Sequence, residues 1–284
     1  MRFKAFRAIL TVDTSEAFTQ YTGRLTKTLV YSLVRELALI HGMKGLVQPL
    51  HISPLFTIGK REEELGEVVT PIYTFTSNGG QKLVPIVIQG EYLLHIGGEG
   101  SIIDMIKERF EVLRNPLLLK FENYIVSFKL EKIIDVTGRI MDKDLSSGKV
   151  TLYIKAPTLL FNVFVPTKLP KFSPTAVEVL MTPYLLAKMQ SMSYSALVEA
   201  ARILGYMVET YYSLNTLKPI FIPFKSKKEA AMIGRVTYII EDMDRNRNII
   251  LELLRIAEIA GIGESRLNGF GTVTWVSKRI AQAR

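Results

Sequence analysis

Phe3-Lys4-Ala5-Phe6-Arg7-Ala8-Ile9-Leu10-Thr11-Val12 is the stretch on which the fold turns. Phe3, Ala5, Arg7, Ile9 and Thr11 alternate with Lys4, Phe6, Ala8, Leu10 and Val12, a period of two that reads as a strand largely buried on one face. From about Phe18 to Ile40 the period changes. Leu25, Leu29, Leu33 and Leu37 recur every fourth residue and predict a helix whose apolar stripe faces a core, with Arg24, Lys27, Tyr31 and Arg35 on its other side.

Working outward, Gly42 and Gly45 end that helix, Pro49 to Ile58 reads as a strand, and a second extended stretch lies between Pro71 and Tyr92 around the turn Ser77-Asn78-Gly79-Gly80. A helix is expected from about Ser101 to Leu113, and Phe121 to Val136 alternates again. Strand, helix, strand, strand, helix, strand is the ferredoxin-like order. After the turn-rich segment Thr137 to Gly148 the order starts over. Val150, Leu152 and Ile154 form a strand, and an insertion runs through Pro166, Pro170, Pro174 and Pro183. Ser193 to Tyr212 is helical, Pro219–Phe224 and Met232–Ile240 are strands, Asn246 to Ala260 is a helix, and Thr272, Thr274 and Val276 belong to a last strand. The expectation is an α+β chain of two tandem ferredoxin-like (RRM-like, βαββαβ) domains, residues 1–140 and 141–284.

The totals agree with two folded domains: 284 residues, 48% hydrophobic and 22% charged. Lys and Arg number 36 against 27 Asp and Glu, a surplus of 9 that favours a polyanionic partner, nucleic acid before an acidic membrane surface. No apolar run reaches the ~18 residues that span a bilayer. The first residues read as a strand broken by Asp13 rather than a signal peptide, so a cytoplasmic location is expected. The chain has no cysteine, which excludes thiol nucleophiles, disulfide frameworks and zinc ribbons. Its histidines are His41, His51 and His95.

Between the last helix and the last strand lies Gly261-Ile262-Gly263-Glu264-Ser265-Arg266-Leu267-Asn268-Gly269-Phe270-Gly271. Glycines at 261, 263, 269 and 271 remove the side chains that keep another backbone at a distance, and successive bare amides can face phosphates. No Gly-Lys-Ser/Thr closes the loop and it follows a helix, so it is neither a Walker loop nor a dinucleotide fingerprint. The plain alternative is a helix C-cap at Gly261 followed by a tight turn. Arg266 in its middle, the basic turn Lys225, Lys227 and Lys228, and Arg235 are candidates to line a groove for an RNA backbone. Trp275 and Phe270 read as core.

This loop, ending in Gly-Phe-Gly, resembles the C-terminal signature of the CRISPR-associated repeat-processing endoribonucleases of the RAMP superfamily. The opening MRFKAFRAIL, Leu29-Val30-Tyr31-Ser32, His41-Gly42-Met43-Lys44-Gly45 and Leu50-His51-Ile52-Ser53-Pro54-Leu55-Phe56 follow the family's order over nearly the whole chain. The resemblance implies a metal-independent endoribonuclease without cofactor. It would cut CRISPR repeat RNA in precursor transcripts by attack of a ribose 2′-hydroxyl, leaving a 2′,3′-cyclic phosphate. It implies further associations as well: a homodimer, hand-off of product RNA to effector complexes, and no membrane partner. Tyr31 and His41 occupy the family's places for a helix tyrosine and the histidine after it. The family's lysine falls where this chain has Val47-Gln48-Pro49, which leaves Lys44 and Lys27 as substitutes and His51 as a further candidate.

Each candidate also has a structural reading. Tyr31 can be a half-buried helix tyrosine, His41 a cation on the last carbonyls of a helix, and His51 and His95 satisfied residues of apolar strands. The acidic runs Glu62-Glu63-Glu64 and Glu241-Asp242 with Asp244 read as a solvated loop and a strand end, not as metal ligands. The other functional class is a non-catalytic RNA-binding RAMP subunit. A general pair of RNA-recognition domains is disfavoured, because the Lys/Arg-Gly-Phe type of central-strand signature is absent.

Overall fold

The computed structural model describes residues 2–18, 21–37, 47–58, 70–71, 86–164, 174–224 and 227–277. The chain is α+β with two ferredoxin-like domains, each an antiparallel sheet with helices on one face. In the first, β1 (Phe3–Thr14) is flanked by β4 (Gln89–Glu99) and β6 (Tyr124–Asp135). The sheet order is β3-β2-β4-β1-β6-β5, with β2 at Leu50–Thr57, β3 at Thr70–Pro71 and β5 at Leu117–Phe121. Helices α1 (Thr22–Leu33) and α2 (Gly100–Phe110) cover it. Phe6, Ala8, Leu10 and Val12 from β1 meet Leu25, Leu29 and Val30 of α1 and Ile103, Ile106 and Phe110 of α2 in one core.

Helix α1 is shorter than its leucine spacing predicts. Phe18 pairs with Ile86 as a strand bridge, Tyr21 at the N-cap is extended, and Val34 at the other end leaves the helical region with φ −128° and ψ 85°. Strand β4 runs seven residues past Tyr92, and the β5–β6 hairpin adds an edge strand that the alternation did not reveal.

In the second domain β7 (Lys149–Thr158), β10 (Lys227–Ile240) and β11 (Val273–Ser277) give the order β11-β7-β10-β8, with β8 at Met207–Glu209. A further strand, β9 (Leu217–Phe224), also pairs with β10. Strand β10 thus has two partners along one side, β9 as far as Gly234 and β8 from Tyr238 onward. It starts at Lys227, so Lys227 and Lys228 are strand residues rather than part of a turn. The proline-marked insertion contains a helix, α4 (Ala176–Lys188), with Pro183 inside it. It is apolar nearly all round and packs between the sheet and the other helices, which is the environment such a helix requires. The expected helix at Ser193–Tyr212 divides into α5 (Tyr194–Leu204), β8 and α6 (Tyr211–Thr216).

The short helix α3 (Thr137–Met141) follows β6, and α7 (Met243–Ala260) leads into the glycine loop. A separate cluster joins the domains: Phe3, Ala5, Val136 and Ile140 pack on Leu186, Ile256, Ile259 and Ala260. The Arg2 guanidinium adds hydrogen bonds of 2.8 Å to the carbonyls of Leu186 and Ala187. Among the described residues no helix is long and apolar enough to cross a membrane.

Candidate RNA-processing site

Four glycines of the loop, 261, 263, 269 and 271, all have positive φ. Their bare faces meet this chain's own atoms, backbone at Gly263, Gly269 and Gly271 and the His51 ring at Gly261. A Cβ on Gly269, at φ +88°, would sit 2.5 Å from the Gly23 Cα at the start of α1, and one on Gly261, at φ +74°, would sit 2.9 Å from His51 Nδ1. The amides are also spent internally. Ile262 donates to Gly271 O (2.9 Å), Glu264 to Leu159 O (3.1 Å) and Gly271 to Pro157 O (2.9 Å). An array of amides open to phosphates, as the spacing suggested, is not what these hydrogen bonds form.

Arg266 departs from expectation in the same direction. Its guanidinium is buried and donates to Ala260 O (2.6 Å) and to Gln48 O, so it ties the loop to the entrance of β2 instead of facing solvent. Burial lowers its pKa to about 10, which leaves it charged at neutral pH. Taking a guanidinium out of water is compensated here by carbonyls at the end of α7 and before β2.

His51 joins this seam. It is fully buried in β2, with Nδ1 3.1 Å from Arg266 O and Nε2 2.9 Å from Thr272 Oγ1. A carbonyl can only accept, so Nδ1 carries the hydrogen and Nε2 accepts from the threonine hydroxyl. Burial, with the neighbouring His95 and Arg266 charges, holds its pKa well below the usual histidine value. His51 is therefore neutral and saturated, a poor acid or base, and its place as a catalytic candidate gives way to one of joining the domains. His95 is also neutral, but only half satisfied: its Nε2 donates to Ile259 O at 3.1 Å, its buried Nδ1 has no hydrogen-bond partner among the described residues, and burial drives its pKa to about 3.

Helix α1 meets the loop at its first turn, where the Tyr21 hydroxyl donates to Gly269 O (2.7 Å) and the Tyr21 ring lies 4.9 Å from that of Phe270. Arg24 pairs with Glu122 at 2.7 Å and lies over the rings of Phe121 and Phe224. One and two turns further along, Lys27 and Tyr31 come together, with the Lys27 ammonium 5.4 Å from the Tyr31 ring centroid. Burial raises the Tyr31 pKa, so its hydroxyl stays protonated at neutral pH and is suited to donating a hydrogen bond.

His41 and Lys44 lie outside the described residues, as does Lys225; of the Lys227 and Lys228 side chains nothing is described. Arg235 is exposed on β10, in register with Tyr153 of β7. The structure thus brings Lys27 and Tyr31 together, places His51 and Arg266 in a separate buried seam, and leaves Arg235 on an open sheet face. Sequence reasoning missed a cluster beside that face, formed by Arg7, Arg139, Lys143, Tyr153 and Lys155. The signal for part of it was the outward register of Tyr153 and Lys155 between the core residues Leu152, Ile154 and Ala156.

Residues 173–273, which take in α4 through the glycine loop, match the family model of the CRISPR-associated endoribonuclease Cas6. No curated protein matches the chain in sequence. Solved structures share the fold over its length. A Cas6 product complex superposes with a TM-score of 0.64 at 14% identity, covering 98% of this chain and 100% of that one. Thermus thermophilus Cas6 gives 0.56 at 14% identity, covering 97% and 98%. The product of a Cas6-related gene from Pyrococcus furiosus gives 0.57 at 11% identity, covering 97% and 100%.

Proposed function

We propose that this chain, a Cas6-type RAMP protein by its family match over residues 173–273 and by its fold, is an endoribonuclease that cuts CRISPR repeat RNA in precursor transcripts. One observation carries the reading. The matched segment ends in the loop that packs on the first turn of α1, and α1 is the helix that presents Lys27 and Tyr31.

The chemistry follows from what such a site holds. The ribose 2′-oxygen loses its proton to a base and bonds to the adjacent phosphorus. The 5′-oxygen leaves and takes a proton from an acid, giving a 2′,3′-cyclic phosphate and a 5′-hydroxyl. No water is consumed, and side chains suffice to supply the base, the acid and a cation for the phosphorane charge. His41 is assigned the acid–base work, because an ordinary histidine pKa near 6.5 suits both directions of transfer. Tyr31 holds a phosphate oxygen through its protonated hydroxyl. Lys27 or Lys44 supplies the cation in place of the family lysine absent at Val47-Gln48-Pro49.

The test is cleavage of labelled repeat RNA in excess EDTA, with a 2′-deoxy nucleotide at the scissile position as control. Cutting of the ribose substrate alone is expected. Loss of cutting on chelation and its return with Mg²⁺ would overturn the metal-independent mechanism. A second reading, a non-catalytic RNA-binding subunit, is favoured by the locked state of His51 and the missing lysine; tight binding with no cut in any repeat would establish it.

A further inference from the structure

The first turn of α1 is held on two sides. On one, Gly23 packs against the glycine loop, where a Cβ would meet Asn268 O and the Gly269 Cα. On the other, the Arg24 guanidinium meets groups from both domains. The first domain supplies Glu122, whose Oε1 lies 2.7 Å from Arg24 Nη1, and Phe121, whose ring centroid lies 5.6 Å from the guanidinium carbon. The second supplies Phe224, with its ring centroid 5.8 Å away.

Each of these partners stands at the end of a hairpin. Phe121 and Tyr124 pair across the turn Glu122-Asn123 that joins β5 to β6, and Phe224, the last residue of β9, pairs with Lys227 at the start of β10. Rings continue on both sides. Phe18 lies 6.0 Å from Phe121 and 4.8 Å from Tyr124, while Phe270 lies 5.6 Å from Phe224 and 4.9 Å from Tyr21. Arg24 thus joins an aromatic cluster of the first domain to one around Phe270. Glu122 has φ +53°, a left-handed conformation that is strained for a residue with a side chain, and the carboxylate of this strained residue is the one that meets Arg24. A guanidinium suits the place, because its plane can pair with a carboxylate while its faces lie on rings, which an ammonium cannot do.

We propose that Arg24 is a positioning residue that couples the β9–β10 hairpin of the second domain to α1, and so fixes the hairpin end against the helix on which Lys27 and Tyr31 stand one and two turns further along. The link between the domains stands by itself; its effect on cleavage rests on the endoribonuclease reading given above.

Two measurements on the full-length protein test it. Amide hydrogen exchange of residues 217–224 should speed up about fivefold or more in Arg24→Ala and in Glu122→Gln, although Glu122 lies in the other domain. In single-turnover cleavage of repeat RNA, Arg24→Ala should lower the maximal rate roughly ten- to a hundredfold while the half-saturating concentration changes less than about threefold. Glu122→Gln and Phe224→Leu should lower the rate in the same way, and their combined loss should fall short of additive, because both act through Arg24. Arg24→Lys keeps the charge without the planar group and should recover only part of the rate.

A direct grip of Arg24 on RNA gives the opposite pattern. Arg24→Ala would then weaken repeat binding and reduce its salt slope by about one unit, and Glu122→Gln, by releasing the guanidinium, would tighten it. That pattern, or wild-type exchange in β9 in the folded variants, overturns the proposal. Glu122→Gln is nearly isosteric at an exposed turn and keeps the test open if Arg24→Ala fails to fold. If the wild type cuts no repeat, the endoribonuclease reading falls, and exchange in β9 still decides the link.

Discussion

His51 Nδ1 donates to the carbonyl of Arg266, 215 residues away in the chain, and the imidazole is neutral. Both it and His95 have folded-state pKa values below the unfolded value near 6.5. Below pH 6.5 the unfolded chain binds protons that the folded chain refuses. Their contribution is thus complete above that pH and is lost as pH falls, down to about 3 for His95. The slope is about 1.4 kcal/mol per pH unit for each histidine. Glu99 and Asp135, whose pKa values are lowered in the fold, add their own loss only in the carboxylate range below. Urea midpoints at pH 7, 6 and 5 should fall steadily, and His95→Gln should cut the slope by about half. A flat profile between pH 7 and 5 would show that these rings are not held neutral.

Gly269 and Gly23 touch, and neither has room for a methyl group. Gly269→Ala combines a strained φ of +88° with a clash on the α1 backbone, and about 2–4 kcal/mol of destabilisation is expected. Gly23→Ala should act alike, because its Cβ meets Asn268 O and the Gly269 Cα. Thermal melts of both variants check this; an unchanged Tm in either would mean that the seam opens freely.

Arg266→Ala should behave as a packing lesion. It removes the donors that Arg266 gives to the Ala260 and Gln48 carbonyls and empties a buried position, at a cost of about 2–4 kcal/mol. At a temperature where the variant is folded, the salt slope of RNA binding should equal that of wild type, since the buried guanidinium is turned to the carbonyls of Ala260 and Gln48. A slope reduced by about one unit would place it on the RNA.

His41→Ala should slow single-turnover cleavage by about 10²-fold or more with repeat affinity almost unchanged, because an acid–base group acts in the transition state. Tyr31→Phe should lose less, as its hydroxyl is assigned to positioning. Rates within a few-fold of wild type in His41→Ala would move the chemistry to Lys27 and Lys44.

Much of the fold was legible where one period dominates. The alternation of Phe3–Val12 and of the strand ending at Asp135, and the apolar stripe of Asn246–Ala260, correspond to β1, β6 and α7. Helix α4 was not legible, because Pro183 and the prolines before it read as breakers while tertiary packing on all sides of the helix outweighs them. The glycine spacing located the loop but not its direction. Whether bare amides meet phosphate or protein is decided by Gly23 and His51, more than 200 residues away, and no local pattern records that distance. Arg7 was similarly hidden, as a buried cation inside a mostly apolar strand whose cavity exists only once a second sheet faces it.

The seam also sets an order of events at the ribosome. His51 emerges 215 residues before Arg266, and at a synthesis rate of about 5–20 residues per second the delay is roughly 10–40 s. Once Asp135 has been made, the nascent first domain has all its strands but presents an unsealed imidazole at His51 and a notch at Gly23, with the segment that closes them not yet translated. Completion of the early domain therefore waits on the late one, and a nascent chain stalled before Gly261 holds a first sheet that has nothing to close against.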